Sequence, residues 1–140
     1  MLAISLIVIT SPATDAGKTF LATGIAETLA YSQYKTSFLD YDIAVGDSLR
    51  IFGLMDDARR PHPTVSSWQD YPDLAQSSLK TKNGVLVFPK PEISYEVITR
   101  ENAMKLVQAV KDFSEAIVVD LVTDHRMPHY EGFIKAADTG

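Results

Sequence analysis

A glycine, a lysine and a threonine occupy positions 17 to 19, where a loop after an apolar run leads into a helical pattern. The loop that contains them reads Ser11-Pro12-Ala13-Thr14-Asp15-Ala16-Gly17-Lys18-Thr19. Backbone N–H groups at the start of a helix, with the positive end of its dipole, favour a polyphosphate there. Lys18 would reach the β- and γ-phosphates, and the Thr19 hydroxyl would ligate Mg²⁺. The strand, loop and helix order therefore predicts a phosphate-binding loop.

The same residues also fit an ordinary turn between a strand and a helix. In that alternative Asp15 caps the helix, and Gly17 and Lys18 are surface residues of its first turn. Two features depart from the common phosphate-loop pattern. Pro12 replaces the usual first glycine and brings no N–H donor, and Asp15 places a carboxylate beside the phosphates. We therefore expect weak nucleotide affinity.

Three carboxylates follow predicted strands at positions that suit a metal site. Asp40 and Asp42 come after the second strand, and Asp120 ends another. Because the carboxyl ends of parallel strands meet at one edge of a sheet, we expect these residues to lie around one crevice with Lys18 and Thr19. That arrangement suits Mg²⁺ with a nucleotide. Each carboxylate alone also fits a residue that caps the loop after its strand.

The elements that position these residues alternate between strands and helices. Apolar, β-branched segments predict strands at 2–10, 35–40, 84–88 and 116–120. Helical spacing predicts helices over 17–31, over a stripe from Ala103 to Phe113 capped by Thr99, and over 128–137. The proline-punctuated stretch between Leu54 and Asn83 predicts a loop with short helices, including one capped by Thr64 that carries Trp68 as a packed anchor.

This alternation predicts an α/β fold with a mostly parallel sheet and helices on both faces, in three layers. Residues 1–140 form one domain. No strand pattern follows the last predicted helix, so we expect the chain to be the amino-terminal part of a longer domain. A naturally short domain and one completed by a partner are the alternatives.

Composition excludes several classes of function. The 140 residues are 46% apolar and carry a net charge of −5, which disfavours nonspecific nucleic-acid binding. There is no cysteine, so disulfides and thiolate sites are excluded and a cytoplasmic location is consistent. The longest apolar run, Leu2–Ile9, is far shorter than the roughly 20 residues of a membrane span. His125 and His129 have a zinc-ligand spacing, but Pro128 disfavours a helix there, and His62 is expected to be solvated.

These pieces resemble the MinD/ParA family of phosphate-loop ATPases. The matching motifs are the opening strand with Ser11 to Thr19, the stretch Leu39-Asp40-Tyr41-Asp42, and Ile117-Val118-Val119-Asp120 as a Walker B-like strand. They occur in the family's order along essentially the whole chain. The segment from Asp40 to Gly46-Asp47 further resembles the pilus-assembly branch called CpaE or TadZ.

The resemblance implies ATP and Mg²⁺ as cofactors and a role for each matching residue. Lys18 and Asp42 would be catalytic, with Asp42 positioning the attacking water. Thr19, Asp40 and Asp120 would organise the metal ion. The nucleotide would contact the loop and the first turn of the helix, at Thr14, Asp15, Ala16, Gly17, Lys18, Thr19 and Phe20.

One departure from the family bears on activity. Ala13 occupies the position of the signature lysine that reaches the partner subunit's nucleotide, and Val122 replaces a proline after the Walker B-like aspartate. We therefore expect slow or absent hydrolysis unless Arg59, Arg60 or a partner supplies the cation. The implied function is an ATP-binding localisation or assembly factor, with a homodimer and a protein partner. A pseudo-ATPase interaction module and an ATP-dependent small-molecule ligase remain alternatives.

Overall fold

The computed structural model describes residues 5–11, 16–41, 48–91 and 99–122. The strands are β1 (Ser5–Ser11), β2 (Thr36–Tyr41), β3 (Leu79–Lys80), β4 (Leu86–Phe88) and β5 (Ala116–Val122). The α-helices are α1 (Ala16–Tyr31), α2 (Ser48–Phe52), α3 (Leu74–Ser77) and α4 (Arg100–Val110). Two short 3₁₀ helices, Asp57–Arg59 and Trp68–Asp70, lie between α2 and α3. The helix predicted over 128–137 lies outside the described residues.

The strands form one mostly parallel sheet in the order β1-β5-β2-β4-β3. β5 lies between β1 and β2 and pairs in parallel with both, and β4 pairs in parallel with the other edge of β2. The predicted α/β fold with a mostly parallel sheet is confirmed. The prediction of four strands is wrong, because β3 adds a fifth strand, antiparallel to β4, among the described residues.

Each face of the sheet has its own hydrophobic core, because side chains alternate between the faces along every strand. On one face Phe38 of β2 and Val118 of β5 pack with Ala22, Ala26 and Ala30 of α1. On the other face the buried core includes residues of β2, β5 and α4, together with Phe88 of β4 and Val65: Leu39, Tyr41, Ile117, Val119, Leu106, Val107 and Val110. The helices therefore cover opposite faces, as the three-layer prediction requires.

The buried face of α1 consists of small residues. Ala22, Ala26 and Ala30 are buried, whereas Leu21 is 58% exposed and Phe20 is 68% exposed. Leu21, Ile25 and Leu29 do recur at helical spacing, but only Ile25 and Leu29 pack beside the core. Alanine allows the helix axis to approach the sheet closely.

Among the described helices, none combines the length and the apolar character that crossing a bilayer requires.

The predictions for Thr99 and Trp68 are confirmed, and the prediction for Thr64 is wrong. The Thr99 hydroxyl accepts a hydrogen bond from the Asn102 N–H, so the predicted cap of α4 is confirmed. Trp68 packs against the α4-side core and donates its indole N–H to the Asn102 side chain. Thr64 does not cap a helix, because its hydroxyl instead accepts from the Ser66 and Ser67 N–H groups and closes a tight turn.

Leu106 tests the contribution of the α4-side core. We expect Leu106→Ala to lower the free energy of unfolding by about 2 to 5 kcal/mol, because the fully buried side chain leaves a cavity against the sheet. Gln108→Ala, at an exposed position of the same helix, should change it by less than about 0.5 kcal/mol. Urea denaturation followed by circular dichroism measures both. Equal stabilities would contradict this assignment of the core.

Candidate functional site

Two aspartates lie side by side at the carboxyl ends of neighbouring strands. Asp40 of β2 and Asp120 of β5 are register partners, and both side chains are completely buried. They come two residues after Phe38 and Val118, so they lie on the same face of the sheet, which α1 covers. Burying an ionised carboxylate costs free energy unless hydrogen bonds or a cation stabilise it. Such an arrangement at a strand end is typical of a functional site.

One of the two carboxylates, that of Asp120, is hydrogen-bonded to α1. The Thr19 hydroxyl donates a buried hydrogen bond to Asp120 Oδ2, at 3.0 Å between the two oxygens. Thr19 is itself buried and lies one turn from the start of α1. The structure thus brings together the three residues that the sequence predicts as metal ligands, namely Thr19, Asp40 and Asp120.

The other carboxylate, that of Asp40, has a hydrogen-bond partner that the sequence did not predict. Ser48, the first residue of α2, donates from its hydroxyl to Asp40 Oδ2 at 2.6 Å, and this contact is buried. Ser48 precedes the short apolar pattern of Leu49, Ile51 and Phe52. A serine before such a pattern is a helix-start signal, which suggests a cap but not a bond to Asp40. α2 is thereby attached to the same strand end as the candidate metal site.

Tyr41 separates Asp40 from Asp42 in the sequence and faces away from the site. Its side chain belongs to the core on the α4 side of the sheet. Burial raises the pKa of the Tyr41 phenol well above its ordinary value, so the phenol stays protonated in the folded chain. The stability that this provides is present below about pH 10 and is lost as the pH rises further, because only the unfolded phenol then ionises.

The remaining predicted nucleotide contacts lie at the start of α1 or outside the described residues. Ala16, Gly17 and Lys18 form the first turn of this 16-residue helix, a placement that the phosphate loop and the ordinary turn both predict. Phe20 follows with its side chain mostly exposed. The predicted contacts Thr14 and Asp15, and the predicted catalytic residue Asp42, lie outside the described residues.

The donor atoms at this site suit Mg²⁺. A threonine hydroxyl and two carboxylates are hard oxygen ligands, and Mg²⁺ in nucleotide sites takes only one or two carboxylates, with phosphate oxygens and water for the rest. The described residues contain no group of three or more His, Cys, Asp or Glu side chains that would hold a metal ion by themselves. The site fits an ion that a nucleotide helps to bind.

The two arginines considered as substitute cations are already engaged. The Arg60 guanidinium donates to the carbonyl oxygens of Ser77 and Ser78, at 2.9 and 3.0 Å. Arg59 forms an exposed ion pair with Asp56 at 3.6 Å. Arg60 is therefore held at α3, and a role for it in hydrolysis would require these bonds to break.

Comparison with known proteins relates the fold to phosphate-loop ATPases. No family model and no curated protein matches the chain. Among solved structures, it is similar to MinD in the MinC:MinD cell division protein complex of Aquifex aeolicus, with 24% identity and a TM-score of 0.73 over 96% of this chain and 53% of that one.

Two other solved structures have the same fold. The kinase domain of the Escherichia coli tyrosine kinase ETK has 21% identity and a TM-score of 0.70 over 94% of this chain and 52% of that one. The pNOB8 ParA structure, solved with nonspecific DNA, has 18% identity and a TM-score of 0.70 over 96% of this chain and 51% of that one. This chain thus spans about half the length of these proteins and has the MinD/ParA phosphate-loop fold.

The bond between Thr19 and Asp120 can be tested through stability. We expect Thr19→Val to lower the free energy of unfolding by about 1 to 3 kcal/mol, because a buried carboxylate oxygen loses its donor. Thr19→Ser keeps the hydroxyl and should retain most of that stability. Urea denaturation measures both variants.

Thr28→Val is the matched control on the same helix. The Thr28 hydroxyl donates to the Gly24 carbonyl of the same helix and the residue is exposed, so its replacement should change stability by less than about 0.5 kcal/mol. If Thr19→Val were as stable as Thr19→Ser, the buried bond would not contribute as described.

Proposed function

We propose that this chain binds ATP with Mg²⁺ at the carboxyl edge of its sheet. The observation that carries the proposal is the cluster of Thr19, Asp40 and Asp120, in which a hydroxyl of the first helix meets two buried strand-end carboxylates. Two buried aspartates at paired register positions contribute little to a hydrophobic core. The free-energy cost of burying their carboxylates is explained if a cation binds there.

Each part of the site has a role in this proposal. The N–H groups at the start of α1 and the positive end of its dipole attract the phosphates, with Lys18 on the same turn. Thr19, Asp40 and Asp120 would hold Mg²⁺, and the ion would supply positive charge against the phosphates. Asp42 follows β2 directly and positions the attacking water. Ser48 fixes the orientation of Asp40.

The residue at position 13 bears on turnover and on the cellular role. Ala13 stands where the signature lysine of the MinD/ParA family would be, so we infer slow or absent hydrolysis. A protein that binds ATP without rapid turnover suits a nucleotide-dependent localisation or assembly factor in the cytoplasm, of the CpaE/TadZ pilus or secretion type. It would act as a homodimer with a protein partner. The fold is also that of a ParA solved with DNA.

Nucleotide binding is tested by titrating a fluorescent ATP analogue with Mg²⁺ into the wild-type chain and into Lys18→Ala. We expect saturable binding by the wild type and at least about tenfold weaker binding by the variant, because a charged contact to the phosphates is lost. Lys105→Ala removes an exposed lysine of α4 and should bind like the wild type.

If the folded wild-type chain showed no saturable binding, the nucleotide proposal would be wrong. The pseudo-ATPase interaction module would then be the better function. Equal affinity in the wild type and in Lys18→Ala would place the nucleotide at a different site.

The missing cation is tested by Ala13→Lys. We expect this change to raise the rate of ATP hydrolysis, because a cation acting from a partner subunit can be worth roughly 10³ to 10⁵ in rate. Ala13→Gln has a long side chain without the charge and should stay at the wild-type rate. Phosphate release is measured in a sample verified to be dimeric and bound to ATP. Unchanged turnover of Ala13→Lys in that sample would remove the argument.

A further inference from the structure

A cavity separate from the candidate nucleotide site lies beside it, towards β4. Its volume is about 450 Å³, which is within the range of small-molecule sites. Pro89, Lys90 and Pro91, which follow β4, form one wall, and Leu49 of α2 forms part of another. Because Ser48 bonds to Asp40 and Leu49 lines the cavity, α2 separates the two sites.

The charge of this cavity is opposite to that of the chain. Arg59, Arg60 and Lys90 line it together with His62, and no carboxylate is among its described lining residues. Asp56, outside the lining, offsets part of the charge of Arg59 through an exposed ion pair. The whole chain carries a net charge of −5. Three cations around one concave surface attract an anion more strongly than the same charges spread over a flat surface, because the low-dielectric walls focus the field.

Hydrogen bonds hold the Arg60 guanidinium in place. Arg60 donates to the carbonyl oxygens of Pro61, Ser77 and Ser78, which are neutral acceptors. His62 Nδ1 lies 2.8 Å from the Arg60 carbonyl oxygen. Since a carbonyl oxygen only accepts hydrogen bonds, Nδ1 carries a proton. The side chain of His62 is half-buried, whereas the sequence predicts a solvated one. The opposite ring nitrogen is a further polar group of the cavity wall.

Hydroxyl groups and prolines complete a rigid cavity. The Thr64 hydroxyl accepts from the Ser66 and Ser67 N–H groups, and the Ser67 hydroxyl accepts from the Thr64 N–H, so this turn is fixed from both ends. The proline residues in the wall restrict the backbone further. Rigid walls lower the ordering cost of binding. Leu49 and the proline rings also offer apolar contact to a carbon skeleton.

We propose that this cavity is a binding site for a small organic anion, a carboxylate or a phosphate ester with an apolar body. Arg59, Lys90 and Arg60 provide the charge, the hydroxyls of the Thr64 turn provide hydrogen bonds, and the proline walls contact the body. The site is separate from the nucleotide site, because α2 lies between them.

The experiment titrates phenyl phosphate and citrate into the wild-type chain and into Lys90→Gln, Arg59→Gln and Lys82→Gln. Lys82 is an exposed lysine of the turn between β3 and β4 and is the matched control. Isothermal calorimetry gives the affinity. Trp68, the single tryptophan, adjoins the Ser66 and Ser67 turn and serves as a fluorescence reporter. Circular dichroism verifies that each variant is folded.

We expect saturable binding of at least one probe, with the Kd raised about tenfold or more in Lys90→Gln and Arg59→Gln, since each loses a charged contact. Lys82→Gln should stay within about twofold of the wild type, since its charge is remote and screened. Lys18→Ala should bind the probe like the wild type, which distinguishes this cavity from the phosphate loop.

Three results would overturn the proposal. The first is the absence of saturable binding of both probes by the folded wild-type chain. The second is equal affinity in the wild type, Lys90→Gln and Arg59→Gln. The third is binding of a pentaglutamate peptide with neither small probe bound, which would assign the cavity to an acidic protein segment.

Discussion

The hydrogen bond between Thr19 and Asp120 connects the first turn of α1 to the carboxyl end of β5, across 101 residues of sequence. It is buried, and beside it Asp40 occupies the matching register position of β2. Because carboxylates are costly to bury, the hydroxyls of Thr19 and Ser48 must be placed accurately for this edge to be stable. The positions of α1 and α2 over the sheet depend on that constraint.

The rest of the fold holds these groups in place. The alanine face of α1 lies directly on Phe38 and Val118, one residue pair before the two aspartates on the same face. α4 closes the opposite face with larger side chains and keeps Tyr41 buried on that side. The central strands β2 and β5 are thus covered on both faces, and the polar groups emerge only where these strands end. β1 differs from these two central strands. The side chains of Leu6 and Ile7 are half-buried, and among the described strands β1 pairs only with β5.

Features that depend on local sequence were predictable. Apolar strands followed by aspartate predict Asp40 and Asp120 at one edge, and threonine before a helical stripe predicts the Thr99 cap. Features that depend on distant contacts were not. β3 has only two residues, too few for a periodic pattern. α1 is apolar around most of its surface, so its periodicity does not show that the alanines, rather than Leu21, face the sheet.

The cavity beside β4 could not be predicted for a similar reason. Its lining comes from α2, from the segment between Ala58 and Tyr71, and from Pro89 to Pro91, and none of these carries a ligand motif by itself. Ser48 illustrates the same limit, because its sequence context marks a helix start while its bond to Asp40 depends on how α2 packs.

The most direct test of the central claim is a crystal structure of the chain with Mg²⁺ and a non-hydrolysable ATP analogue. The account predicts that the phosphates lie against the first turn of α1, with Mg²⁺ next to the Thr19 hydroxyl and the carboxylates of Asp40 and Asp120. An analogue bound elsewhere, or a metal ion distant from these three residues at saturating analogue, would contradict it.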